Sequence, residues 1–178
     1  MCNHASPPDA TDPLAAAVRA ARAVPEALAA LRELYDEVDA AVAALGQTCR
    51  ACGRCCDFDT YGHRLYVTTL ELALLTIDPP AAAAESPGRC PYQQGAACTA
   101  RDRRALGCRV FSCDKTNDDA EQALYARFHD RLGRLHAAHD IPYFYTDLPA
   151  AVGALAAAGL EPFPPRTDGA NADRKASG

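Results

Sequence analysis

The chain has 178 residues, enough for one domain with a sizeable core, and its net charge of −5 argues against nonspecific binding to nucleic acid or to an anionic membrane. Apolar residues make up 49% of it, but much of that is alanine, which favours helix and buries little surface per residue, so a mainly α fold with a thin core is expected. No stretch approaches the roughly 20 apolar residues that span a bilayer. Residues 1–8 also lack the basic and apolar regions of an export signal, so a cytoplasmic location with no membrane partner is expected.

Residues 1–12 are polar and proline-bearing and are expected to be disordered. A single domain then runs over 13–160, followed by a Pro-, Asp- and Gly-rich tail, 161–178, with no reason to fold. Within the domain, 14–45 has helical periodicity: Leu28, Leu31, Leu34, Val38, Val42 and Leu45 recur at intervals of three and four and form one apolar stripe. Pro25 suits the first turn of a second helix, with the first ending near Ala23, and Gly46 suits a stop. Asp57 to Tyr66 reads as loop or short strand. Thr68 and Glu71 have capping-box spacing, which predicts a short helix from Thr69 to about Ile77, ended by Pro79 and Pro80. Residues 78–89 read as a linker. Residues 90–113 show little periodicity and read as loops. The spacing of Leu124, Phe128, Leu132 and Leu135 predicts a helix over 120–139, begun by Asp118 and Asp119. Residues 141–145 read as extended and 148–160 as an alanine-rich helix closed by Gly159.

The nine cysteines are the informative feature. One, Cys2, sits in the N-terminal tail. The other eight form a compact run, Cys49, Cys52, Cys55 and Cys56, and a spread set, Cys90, Cys98, Cys108 and Cys113, which together delimit a metal-binding core over 49–113. Cytoplasmic thiols stay reduced, so a dense set there points to metal rather than to disulfides. Two residues between cysteines let both sulfurs face one ion around a tight bend, and Gly53 eases that bend. Thiolates select zinc or iron–sulfur clusters over hard cations, and each commonly takes four protein ligands, so metal ions are the expected partners and eight cysteines would fill two such sites. In an extended chain the adjacent Cys55 and Cys56 point opposite ways, so they would serve different centres or one of them would be a spare thiol. The spacing lacks the bacterial ferredoxin x3-C-P continuation and the second C-x2-C pair of a zinc ribbon. A redox dithiol at Cys49/Cys52 or Cys52/Cys55 would leave the other cysteines unexplained.

Arg50, Arg54, Arg89, Arg101, Arg103, Arg104, Arg109 and Lys115 flank the cysteines. They would offset thiolate charge, or line a pocket for an anionic substrate. His63 is a candidate ligand or proton donor. His136 and His139, at i and i+3, are candidates to meet one ion, although eight cysteines already suffice. Glu71 is better explained as a helix cap than as a base, and Tyr143, Phe144 and Tyr145 as core or cover. No phosphate-binding glycine motif, Ser/His/Asp arrangement or C-x3-C-x2-C run is present.

Cys49-x2-Cys52-Gly53-x-Cys55-Cys56, the Thr68 helix start, and Cys108-Arg109-Val110-Phe111-Ser112-Cys113 together resemble the CxxCxxCC cysteine-cluster family, the YkgJ-type proteins described as zinc- or iron-chelating and sometimes as iron–sulfur oxidoreductases. The resemblance covers about residues 49–113. It implies a small cysteine-rich metal-binding domain with helices packed around metal-organised loops, zinc or iron as the cofactor, and all eight cysteines as ligands. It does not imply a settled reaction: an iron–sulfur redox protein, a zinc-stabilised interaction or metal-handling module without catalysis, and a lysine-methylating enzyme related to the longer flagellin N-methylases all remain open. Two positions depart from the family pattern. Ala105 follows Arg104 where the family often has proline, and Ala100 and Arg101 follow Cys98 where it often has Ile-Tyr.

Overall fold

The computed structural model describes residues 12–47, 49, 52–77, 88–112 and 117–160. The expected disorder of 1–11 and 161–178, most of the expected linker over 78–89, and Cys113 lie outside the described residues.

The helices begin where local chemistry provides a cap. In α1 (Pro13–Arg22) the Asp12 carboxylate accepts from the Leu14 N–H at 2.8 Å, and proline takes the first position. Pro25 likewise opens α2 (Pro25–Ala44), and the chain turns between the two at Ala23 and Val24. Leu28, Leu31, Leu34 and Val38 of the α2 stripe are buried, while Val42 and Leu45, nearer the cysteine run, are only half-buried. The capping box predicted for α4 (Thr69–Leu75) is formed: Glu71 N–H donates to Thr68 Oγ1, and Thr68 N–H donates to Glu71 Oε2 at 2.7 Å. All seven residues of α4 are buried, so this short helix is the centre of the core. Helix α1, α2 and the long α6 (Asp118–Ala138) pack around it or beside it, and α7 (Leu148–Ala157) closes against α1. Val18, Leu31, Leu70, Leu74, Phe128, Leu132, Leu148 and Leu155 fill the middle, each worth roughly 1.5–3 kcal/mol of burial. The fold is therefore mainly α, as the alanine content and periodicity led us to expect.

Three local expectations change. Phe58–Tyr61 forms a single helical turn, α3, because the Asp57 carboxylate accepts from Thr60 N–H and starts it. The extended piece near 145 lies over β4 (Tyr145–Asp147), where it pairs antiparallel with β1 (Tyr66–Thr68) in the register Tyr66 to Asp147. Third, 90–112 is more than loop: it holds a hairpin of β2 (Gln93–Gln94) with β3 (Ala97–Cys98), and a short helix α5 (Leu106–Val110). Strands of two residues and a helix of five are too short to leave a periodic signal. Among the described residues, no helix is long and apolar enough to cross a membrane.

Candidate metal centre

The cysteine segment is held against the helices by a few specific bonds. Gly53 has φ +74°, a conformation that favours glycine, and a Cβ there would lie 2.8 Å from Gln93 Nε2. The Gln93 amide donates to the Gly53 and Gly95 carbonyls, so the β2–β3 hairpin, which carries Cys98, sits on the bend of the cysteine run. Cys90 N–H donates to the Cys56 carbonyl at 2.8 Å, beside an antiparallel bridge between Asp57 and Arg89 and their ion pair at 3.0 Å. These contacts join the compact run to the spread set directly through backbone.

Cys108 arrives on α5. The first turn of α5 is fixed by Glu71, whose Oε1 accepts from Leu106 N–H at 2.7 Å and from the Tyr35 hydroxyl at 3.2 Å. Burial pushes the Glu71 carboxyl up, and the N–H and O–H donors around it work in the opposite direction. Arg109 secures the other side. Its Nη1 meets Asp39 at 2.5 Å, Nη2 donates to the Asp102 carbonyl, Nε donates to the Arg104 carbonyl, and the guanidinium lies 4.2 Å over the Tyr35 ring. A second buried carboxylate, Glu121 of α6, accepts from the Gln47 amide, just before the cysteine run, and from Ser112 N–H, just after α5.

Seven of the eight candidate ligands are thus placed, none of them in a disulfide: Cys49 and Cys52 are exposed, Cys90 is buried, and Cys55, Cys56, Cys98 and Cys108 are half-buried. The Cys55 and Cys56 thiols interact with each other, and Cys56 with Cys90. The hydrogen bond to Cys56, burial, and the neighbouring Cys56, Cys49 and Cys52 all raise the Cys55 thiol. At Cys56 the bond with Cys55 lowers the thiol, but the bond with Cys90, burial, and the nearby Cys90 and Cys98 outweigh it and push it up to about 12. Burial, then Cys55, Cys56 and Cys98, raise Cys108. The two adjacent cysteines differ in the thiols that act on them, Cys49 and Cys52 on Cys55 and Cys90 and Cys98 on Cys56, while Cys108 interacts with both. As they stand, however, no three His, Cys, Asp or Glu side chains among the described residues are gathered tightly enough to hold a metal ion. The sulfurs are neighbours within one electrostatic environment, not a closed coordination shell. Their chemistry, soft donors with no hard oxygen ligand among them, fits zinc or an iron–sulfur cluster.

Two cavities flank the thiols. The larger, about 420 Å³, is lined by Cys49, Cys52, Cys55 and Cys108 together with Arg54, Arg101, Arg104 and Arg109. The smaller, about 180 Å³, is lined by Cys55, Cys108, His63, Tyr66, Phe111, Tyr125 and Tyr145. Cys55 and Cys108 therefore form part of both walls. On the aromatic side, Tyr66 stacks on Tyr145, and the Tyr125 and Tyr145 hydroxyls share a hydrogen bond of 2.8 Å.

The histidines divide. His63 borders the smaller cavity, its Nε2 3.1 Å from the Cys55 carbonyl, which makes that nitrogen the donor. His136 does not join His139 on an ion. It is buried, with Nδ1 3.3 Å from the Ile141 carbonyl and Nε2 accepting from Leu70 N–H at 3.4 Å, so both nitrogens serve the backbone. His129 bonds the Tyr143 hydroxyl at 3.0 Å. The clamp roles of Arg109 and Glu121 carry no local signal, since their partners lie 70 and 74 residues away. Tyr143 and Tyr145 are exposed at the surface, so they cover α6 and β1 but are not core.

No family model matches the chain, and neither a curated protein nor a solved structure is significantly similar to it.

Proposed function

We propose that this protein binds zinc or iron through its cysteine cluster, an iron–sulfur centre being one form, and that it is related to the CxxCxxCC cysteine-cluster proteins. The observation that carries this reading is the convergence of seven cysteines from four chain segments, 49–56, Cys90, Cys98 and Cys108, beside a patch of arginine. Buried thiols so close together resist ionising against one another, and a cation between them removes that penalty. Cys49, Cys52, Cys55 and Cys108 share one cavity wall, which Cys56, Cys90 and Cys98 do not line, so a two-centre arrangement divides the ligands between Cys55 and Cys56. Cys113 is the remaining candidate for the second set.

The test is purification without oxygen followed by measurement of iron, labile sulfide, zinc and the visible spectrum. Brown protein with about equal iron and sulfide supports the cluster form, and colourless protein with stoichiometric zinc supports the zinc form. Folded protein with neither metal sinks the proposal. A zinc-stabilised module without catalysis is the second reading. What favours it is the shortness of the regular elements over 52–56 and 88–105, two or three residues each, which a metal would brace.

A further inference from the structure

We propose that the larger cavity binds a small oxyanion, a carboxylate or phosphate group, between Arg54 and Arg101. The cavity is a local reversal of the protein's charge: in a chain of net charge −5, the described residues that line it include four arginines and one carboxylate, Asp39. That carboxylate is already spent on Arg109, whose remaining donors go to backbone carbonyls. Glu121, behind the wall, is likewise occupied by Gln47 and Ser112. Arg104 is partly used, with Nε on the Arg101 carbonyl and Nη1 3.4 Å from the Cys108 carbonyl.

Arg54 and Arg101 are different. Both are exposed on the cavity rim, and neither meets a carboxylate among the described residues; the polar contact that Arg101 makes through its guanidinium is with Cys49 Sγ at 3.8 Å. Two guanidiniums facing one space present paired N–H donors that match a planar carboxylate or a phosphate. A second feature agrees. Gln47 lines the same cavity, and its Oε1 is buried with no hydrogen-bond partner, an unused acceptor in the cavity wall. The volume, about 420 Å³, holds more than a metal ion and takes an organic acid of six or so carbons. If Cys49, Cys52, Cys55 and Cys108 hold one divalent metal at a net charge of about −2, the lining still keeps a positive excess. The anion site therefore does not depend on whether the thiols are loaded.

The experiment is calorimetric titration of the full chain with citrate and, separately, with inorganic phosphate. It is run on protein as purified without oxygen and again after chelator treatment, with metal content measured on each sample. Saturable binding of either anion is expected, weakened at least tenfold in Arg54→Ala/Arg101→Ala and less in Arg101→Lys, with Arg127→Ala as the unaffected control. Citrate binding alone assigns the site to organic acids, and phosphate binding alone to phosphoryl groups. Absence of saturable binding by both, or binding unchanged in the double variant, overturns the proposal. So does a double variant that loses its metal along with the anion, because the arginines would then serve only the thiolates. Anion binding in protein that holds no metal as purified without oxygen keeps this inference and removes the proposed metal function.

Discussion

Glu71 gives the sharpest test of how the site is held, because one carboxylate caps α4 and also positions α5. Replacing it with alanine strips an acceptor from three donors: Thr68 N–H at 2.7 Å, Leu106 N–H at 2.7 Å and the Tyr35 hydroxyl at 3.2 Å. Thr68, Leu106 and Tyr35 are each no more than 2% exposed, so water does not readily replace the lost oxygen. A buried donor left without an acceptor costs about 1–3 kcal/mol, so Glu71→Ala is expected to destabilise by about 3–5 kcal/mol once partial relaxation is allowed for. Glu71→Gln provides the calibration. Its amide oxygen can keep Leu106 and Tyr35, while its NH2 meets the Thr68 N–H, so one bond is lost; a neutral group in the same place also escapes the burial cost of a charge. A loss of about 1–2 kcal/mol follows. Urea unfolding followed by far-ultraviolet circular dichroism reads both, since the chain has no tryptophan. If Glu71→Ala stays within 1 kcal/mol of the parent, or Glu71→Gln is as damaging as Glu71→Ala, the carboxylate is not the link described.

Arg109→Ala removes the Asp39 pair, two carbonyl contacts and the stacking on Tyr35; it is expected to cost about 2–4 kcal/mol in urea unfolding, and Arg109→Lys recovers less than half because lysine cannot reach all partners. Gly53→Ala forces a Cβ into a left-handed turn and against Gln93; a loss of about 1–2 kcal/mol, with faster reaction of Cys55 toward a thiol reagent, is expected from melts and from mass-spectrometric labelling. Ala105 has φ −63°, and Arg104 before it has ψ 140°, both compatible with proline at 105, so Ala105→Pro is expected to raise stability by about 0.4–1 kcal/mol in the same melts. Burial lowers the His136 pKa, against the pull of the Ile141 and Pro142 carbonyls. The folded protein thus binds this proton less readily than the unfolded chain. The contribution of neutral His136 is full above the unfolded value, about 6.5, and is lost as pH falls through the lower folded value. Urea midpoints should decline below pH 6.5, and His136→Gln should flatten that decline.

The helices were readable because their information is local: Pro25 at a first turn, the Thr68–Glu71 box, and leucines at three- and four-residue intervals. The cysteines stand out from spacing alone, and the backbone bond between Cys56 and Cys90 is one physical link between the compact run and the spread set. What stayed hidden depends on distant partners. Glu71 reads as a cap and is one, but its bond to Leu106 spans 35 residues. Arg109 reads as one more cation beside sulfur, whereas it is nearly buried and tied to Asp39 and Tyr35 of α2. The Gln93 hairpin left no pattern because two residues per strand cannot establish alternation.

Arg19 of α1 donates to the Ala158 carbonyl just past α7, at 3.1 Å, and β1 pairs with β4 across some eighty residues. During synthesis, α1, α2 and the whole cysteine run leave the ribosome well before β4 and α7 exist to complete these contacts. The nascent thiols therefore spend that interval outside their final packing, open to whatever metal or oxidant the surroundings offer. Under the proposed metal function, loading before the chain is finished and loading after it would be two distinct events, the first without the closing elements of the fold.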